Sequence, residues 1–347
     1  MIQMSETDEI LETGFHGTEI QAAVLHVIDG RHRYVSLSER TLDLEEPMTE
    51  KYVKRYVSRC RSDMRTRQGS FTDTSLFGRE TGRYFRHETT LPEYSSAVCR
   101  KLIDYFEQEE ARSFEVLFAD YRTDDVPYIA VILLEEQDTM TYSTNADNGT
   151  VQNTLSFGHT SLPSFTKPVS SFAVINQISQ EILFVDEGKW KNGISLMKDI
   201  LLEAEAGFSR KEVVETVKNI TVEVAEEFDE NPAILLGKVK NHIASAVNEG
   251  MPLNTETLVS EVFEEKPDMA SAFRQKAYEK TLPAETELPK TSVRVSMKKQ
   301  KVVTDTGIEI SFPAEYADDD RFISFHEEAD GTLTISVKQI GKLTNKL

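Results

Sequence analysis

The feature that most limits how this chain can fold is a pair of short, almost wholly apolar runs at residues 114–121 and 128–134. Each has the length of a strand and is too short to cross a membrane as a helix. The link between them, Thr123-Asp124-Asp125-Val126-Pro127, is rich in turn formers. The two runs therefore predict a buried antiparallel pair. Residues 18–38 predict a hairpin: an apolar, partly alternating stretch at 20–28, the turn signal Asp29-Gly30, then Tyr34-Val35-Ser36-Leu37. Residues 172–175 and 182–185 make another short pair. Helices are expected over 50–67 and 93–110, the second with Val98, Leu102, Ile103 and Phe106 on one face. Residues 69–82 read as a Gly/Ser/Thr-rich loop, and 145–167 as an exposed polar insertion.

Beyond residue 209 the pattern turns helical. Ser209-Arg210-Lys211-Glu212 matches a capping box, in which the serine oxygen accepts from the N3 amide and the glutamate reaches back. Val213, Val214, Val217, Ile220, Val224 and Phe228 follow at helical spacing. Asn231-Pro232 opens a second helix, Gly250 ends it, and shorter helices are expected near 255–264 and 268–280. Strand alternation returns over 291–340, at Val293 and Val295, at Ile308, Ile310 and Phe312, and at Leu333, Ile335 and Val337. The expected class is α+β, in three parts: a mixed domain with antiparallel strands and helices between them (14–190), a helical unit (191–285) and a small all-β element of three to five strands (286–347).

The chain carries a net charge of −20, which on its face argues against a nucleic-acid partner. The charge is uneven, however. Segments 1–50, 51–101, 102–205, 206–289 and 290–347 carry −8, +7, −12, −7 and 0. Screening erases most effects beyond about 8–10 Å, so a docked polyanion would feel the local field. On a helical wheel of residues 51–67, Lys51, Lys54, Arg55, Arg59, Arg61 and Arg65 share one arc. Tyr52, Val53, Tyr56, Val57, Cys60 and Met64 fill the other. One face can pack while the other offers a row of cations to phosphates, independent of base sequence. Arg79, Arg83 and Arg86 are candidates to extend the patch, and Lys298, Lys299 and Lys301 form a weaker basic run in the tail. The same residue types also describe a solvated helix face whose cations pair with nearby carboxylates. The apolar arc lacks the Trp, Phe and Leu of a membrane-surface helix and reads as core.

Signatures of chemistry are missing. The sequence has no Gly-x-Gly-x-x-Gly, no P-loop and no Gly-x-Ser-x-Gly elbow. Its seven histidines are scattered. His26 and His32 flank the predicted hairpin turn without an assignable third metal ligand. Asp318-Asp319-Asp320 reads as a solvated turn, since hard cations need oxygens spaced round a curved loop. Glu135-Glu136 and Glu264-Glu265 are unremarkable in a chain with 59 acidic residues. Two cysteines, Cys60 and Cys99, are too few for a disulfide framework or a zinc site. With an acidic, polar start and no apolar run long enough to span a bilayer, a cytoplasmic, non-enzymatic protein without cofactor or metal is expected.

Three stretches resemble the bacterial nucleoid-associated protein family of the NdpA/YejK type. They are Ala23-Val24-Leu25-His26-Val27-Ile28 followed by Tyr52-Val53-Lys54-Arg55-Tyr56-Val57; Val116-Leu117-Phe118 with the run at 128–134; and Leu282-Pro283-Ala284 before the tail strand Gly331-Thr332-Leu333-Thr334-Ile335. The resemblance implies association with the nucleoid, DNA binding without catalysis and contact with DNA-maintenance enzymes. It supplies no contact residues. A homodimer is expected, since two-fold symmetry would double the basic surface. The alternative is a protein-interaction role, in which the acidic surface binds a partner protein or mimics DNA. A metal-dependent enzyme assembled from distant residues is the third reading.

Overall fold

The computed structural model describes residues 17–30, 33–108, 113–135, 137–147, 150–163, 168–187, 194–289, 299–304, 306–313, 316, 319, 321–328 and 332–342. The predicted apolar pair is its centre. Strand β4 (Ser113–Thr123) runs antiparallel to β5 (Val126–Glu135), in register from Phe114 opposite Glu135 to Thr123 opposite Val126. Around it an eight-stranded sheet has the order β10-β3-β9-β8-β5-β4-β1-β2. Its other strands are β1 (Thr18–Asp29), β2 (Tyr34–Ser36), β3 (Arg67–Phe71), β8 (Ser171–Asn176), β9 (Ile182–Asp186) and β10 (Ala204–Ser209). Between β5 and β8 the chain makes a separate hairpin of β6 (Gln137–Asp147) and β7 (Thr150–Ser161). The expected α+β class is what forms.

Both faces of the sheet are apolar, and each takes a helical layer. Side chains alternate across a strand. Val116 and Phe118 thus join Val131 and Leu133 on one face, where α2 (Leu76–Phe85), α3 (Leu91–Gln108) and a π-helix (Leu196–Leu202) cover them. Leu117 and Ala119 join Ala130 and Ile132 on the other, where α1 (Pro47–Arg61) lies. The two buried cysteines fall in opposite layers, Cys60 with α1 and Cys99 with α3.

The structure corrects the reading of residues 50–82. Helix α1 starts earlier than expected, with Pro47 in its first turn and the Glu46 carboxylate accepting from the Thr49 amide (2.5 Å) and hydroxyl (2.8 Å). It stops at Arg61 rather than Arg67. Asp63 accepts from the Arg65 amide and turns the chain. The Asp63 and Met64 carbonyls then accept from the Arg210 guanidinium (3.2 Å) and the Lys211 amide (2.9 Å), and the Met64 side chain joins a different core. The segment read as a loop holds β3 and α2. Gly69 hides the strand in the sequence and makes it possible in the fold. A β-carbon there would stand 2.6 Å from the Glu205 carbonyl oxygen of β10 and 2.9 Å from the Phe184 ring.

Two units pack separately. One comprises the described residues up to Arg61 and from Thr66 to Gly207; the other comprises Ser62–Arg65 and those from Phe208 onward. The second contains α4 (Arg210–Glu227), α5 (Pro232–Glu249), α6 (Thr255–Val262) and α7 (Pro267–Glu279), around Val217, Ile220, Val239, Ile243, Leu258 and Phe273. Its termini follow the sequence signals. The Ser209–Glu212 capping box is complete, Asn231 accepts from the Ala233 amide with Pro232 following it, and Gly250 ends α5 at φ +74°. A short pairing of β11 (Leu253–Asn254) with β12 (Glu285–Thr286) closes the helical part. The tail forms two hairpins, β13 (Lys299–Val303) with β14 (Glu309–Pro313) and β15 (Ile323–Glu327) with β16 (Leu333–Val337), sharing a small core of Phe312 and Ile323. Val293 and Val295 lie outside the described residues.

The close approach at Gly69 yields a prediction. Gly69→Ala places a methyl group against the Glu205 carbonyl oxygen and the Phe184 ring, so β3 and its neighbours must shift, and overpacking of this kind costs about 1–3 kcal/mol. Urea unfolding should show a midpoint lowered accordingly; an unchanged midpoint would contradict the packing described.

Candidate nucleic-acid interface

Helix α1 is fixed to the sheet by a stripe at i, i+3, i+4 and i+7: Val53, Tyr56, Val57 and Cys60, all buried. Tyr52 flanks the stripe, half-buried. Its ring centroid is 4.8 Å from that of Tyr56, and both hydroxyls donate to the Pro163 carbonyl, at 3.2 and 2.9 Å. Burial pushes both phenol pKa values up, so neither tyrosine contributes charge. The apolar arc expected from the wheel is therefore the packed face, except that Met64 lies beyond the helix.

The opposite arc of α1 carries Lys51, Lys54, Arg55, Arg59 and Arg61. Residues 51–61 include five cations and no carboxylate. Lys51 is exposed and the other four are half-buried. Arg61, at the edge of the arc, sits 3.9 Å from the Asp124 carboxylate and 5.2 Å above the Tyr128 ring. Arg59 and Arg61 occupy the last turn, where cations complement the partial negative charge of the helix end.

The remaining candidate cations are elsewhere. Arg65 is not on the helix. It belongs to the short segment that packs with the second unit, and its guanidinium grips Asp63 with both oxygens, at 2.6–3.1 Å. Arg79, Arg83 and Arg86 do not extend the α1 patch. Helix α2 is in the layer on the other face of the sheet, and its arginines are bound to carboxylates: Arg83 to Glu80 (2.9 Å) and Glu88 (3.6 Å), Arg86 to Glu88 (2.7 Å), and Arg79 to Glu80 at 3.8 Å. The sequence signal for this pairing was present in the spacing, since Glu80 and Arg83 are one turn apart. Lys299 and Lys301 lie on β13 of the second unit, where Lys301 is 2.7 Å from Glu309. Lys298 lies outside the described residues.

Among the chemistry candidates, His26 is not a turn residue but a fully buried one. The Ser38 amide donates to its Nδ1 (3.0 Å), so the proton is on Nε2, which donates to the Ser95 hydroxyl (2.8 Å). Burial lowers its pKa from 6.5 to about 4. His32 lies outside the described residues, as do Asp318, Asp320 and Glu136. Asp319 is held by Arg321, and Glu135 accepts from the Ser170 hydroxyl. Among the described residues there is no cluster of three His, Cys, Asp or Glu side chains placed to hold a metal ion. No described helix is long and apolar enough to cross a membrane.

The model of the family described as nucleoid-associated protein YejK matches residues 24–340 of the 347. The chain belongs to this family. The match begins within β1 and ends beyond β16, so it takes in α1, the sheet and the second unit together. The family is named for association with the nucleoid. No curated protein matches the chain.

The neutral, buried His26 gives a pH prediction. Its folded pKa is depressed, so below about 6.5 the unfolded chain takes up a proton that the folded chain refuses. The associated stability is present at neutral pH and is lost as pH falls from about 6.5 through about 4, by up to roughly 3 kcal/mol. His26→Gln, less stable at pH 7, should show a shallower loss of stability over this window in urea unfolding. Equal slopes would contradict the assignment.

Proposed function

We propose that the protein binds duplex DNA without catalysis and largely without regard to sequence, as a homodimer at the nucleoid, with the outward cations of α1 as the contact surface. The observation that carries this reading is the composition of one rigid face: five cations and no carboxylate over residues 51–61, on a helix whose other side is sealed into the core. Such a face neutralises several phosphates at once without ordering a flexible segment, and releases their counterions. Membership of the nucleoid-associated family supports the same partner. Lys51 and Lys54 are the leading contacts, followed by Arg55 and Arg59.

The α2 arginines point from the opposite layer, so one duplex cannot lie on both sets face-on. They form a separate group, offset by Glu80 and Glu88. Lys298, Lys299 and Lys301 remain a secondary basic run. Nucleoid membership also supports work beside DNA-maintenance proteins, whose contacts would use the acidic remainder of the surface.

The test is a duplex titration at several salt concentrations. Each phosphate contact removed lowers the slope of log K against log salt by about 0.9. Lys51→Gln with Lys54→Gln should weaken binding and flatten the slope by about two contacts' worth. The triple change Arg79→Gln, Arg83→Gln and Arg86→Gln should leave the slope near that of the parent. If the α2 set carries the loss instead, the interface is on the other side of the sheet; if neither changes the slope, DNA binding through these helices is wrong.

A further inference from the structure

The hairpin β6–β7 is built unlike the rest of the chain. Among the described elements its close packing is with itself. The register places Met140 opposite Phe157, Tyr142 opposite Leu155, and Thr144 opposite Asn153 on one face. Thr141 opposite Ser156, Ser143 opposite Thr154, and Asn145 opposite Gln152 occupy the other. The ribbon is therefore amphipathic, and its apolar face is turned to solvent. Met140 is 60 % exposed, Tyr142 77 %, Val151 65 %, Leu155 74 % and Phe157 56 %. The polar pair within that face is bonded internally, Thr144 Oγ1 to Asn153 Oδ1 at 2.7 Å. A lone two-stranded ribbon is marginal in water, and an apolar face of this size marks an interaction surface.

We infer that this hairpin is the contact through which two copies of the chain associate, apolar face against apolar face; the inference rests on the homodimer proposed above. Three observations select a second copy as the occupant. Residues 137–161 hold no lysine or arginine and only two carboxylates, Asp138 and Asp147, in a chain that is 28 % charged. The ribbon therefore offers no Lys or Arg to phosphates and little to a partner chosen by charge. Two chains of net charge −20 repel each other overall, and a near-neutral face lets them meet at little electrostatic cost. The size also fits. At roughly 100–200 Å² for each large side chain, five present on the order of 600 Å² per copy, so a two-fold contact covers about 1,200 Å², within the range of stable interfaces. Two-fold symmetry needs a patch complementary to itself, which an uncharged apolar strip is. The strands also lack the proline and lysine that usually blunt an exposed edge.

Sedimentation equilibrium of the full-length protein without DNA tests this. The parent, and a variant with Ser143→Ala and Thr154→Ala on the polar face, should sediment at twice the chain mass. Tyr142→Thr with Leu155→Thr, both strand-compatible and outside the folded cores, should sediment as a monomer. Amide exchange across 137–161 in the parent should slow as protein concentration rises through the dimerisation range. A parent dimer that survives the apolar-face changes overturns the hairpin assignment while leaving dimerisation intact. A monomeric parent overturns both. DNA binding through α1 is measured separately and is decided by neither outcome.

Discussion

The antiparallel pairing of β4 with β5 is the interaction on which the rest of the first unit depends. Its alternate side chains are apolar on both sides: Val116, Phe118, Val131 and Leu133 on one, Leu117, Ala119, Ala130 and Ile132 on the other. Neither face can be left to water without forfeiting roughly 1.5–3 kcal/mol for each large side chain. The sheet must therefore be covered twice. The covering on one side is a single helix, α1, and on the other it is α2, α3 and the π-helix. Each covering helix carries its Lys and Arg residues on its own side of the sheet, so the sheet also decides which cations can act together.

That division changes the meaning of the charge pattern. The positive block at 51–101 is contiguous in sequence, yet the sheet separates its two arginine-rich helices. One set is locked to glutamates of its own helix and the turn that follows; the other shares a helix segment that holds no acid of its own, with Arg61 reaching the Asp124 carboxylate. At physiological ionic strength the field of a charge fades over about 8 Å, so each layer presents its own surface to a polyanion. The cations of α1 stand on a backbone fixed by the buried stripe of Val53, Tyr56, Val57 and Cys60, so their spacing along the helix is set before any partner arrives.

Much of this architecture is legible in the sequence where a local rule and the tertiary environment agree. The β4–β5 pair, the i, i+3, i+4, i+7 stripe of α1, the Ser209–Glu212 box and the Asn231-Pro232 and Gly250 boundaries are cases of this kind. Where the environment overrides the local rule, the sequence misleads. Strand β3 contains Gly69 and Ser70 and resembles a loop, because its glycine answers to a neighbouring backbone that the sequence does not display. Helix α2 has two glycines in ten residues, and Gly78 lies close against the Phe71 ring. The end of α1 is set by Asp63 and by the commitment of Met64 to another core. The hairpin at 137–161 overlaps the segment 145–167 that reads as a polar insertion, and threonine, serine and asparagine dominate it. Only the register reveals that its few large apolar residues share one face. The cations of α1 were readable as a row; which neighbours extend that row was not, since the sheet between them is a long-range feature.

The most direct test of the account is chemical footprinting of lysine amines by acetylation and mass spectrometry, with and without duplex DNA. The account predicts that Lys51 and Lys54 lose reactivity when duplex is bound, while Lys211, which is exposed in the second unit, reacts as before. Unaltered reactivity of Lys51 and Lys54 in a sample that has bound DNA would contradict it.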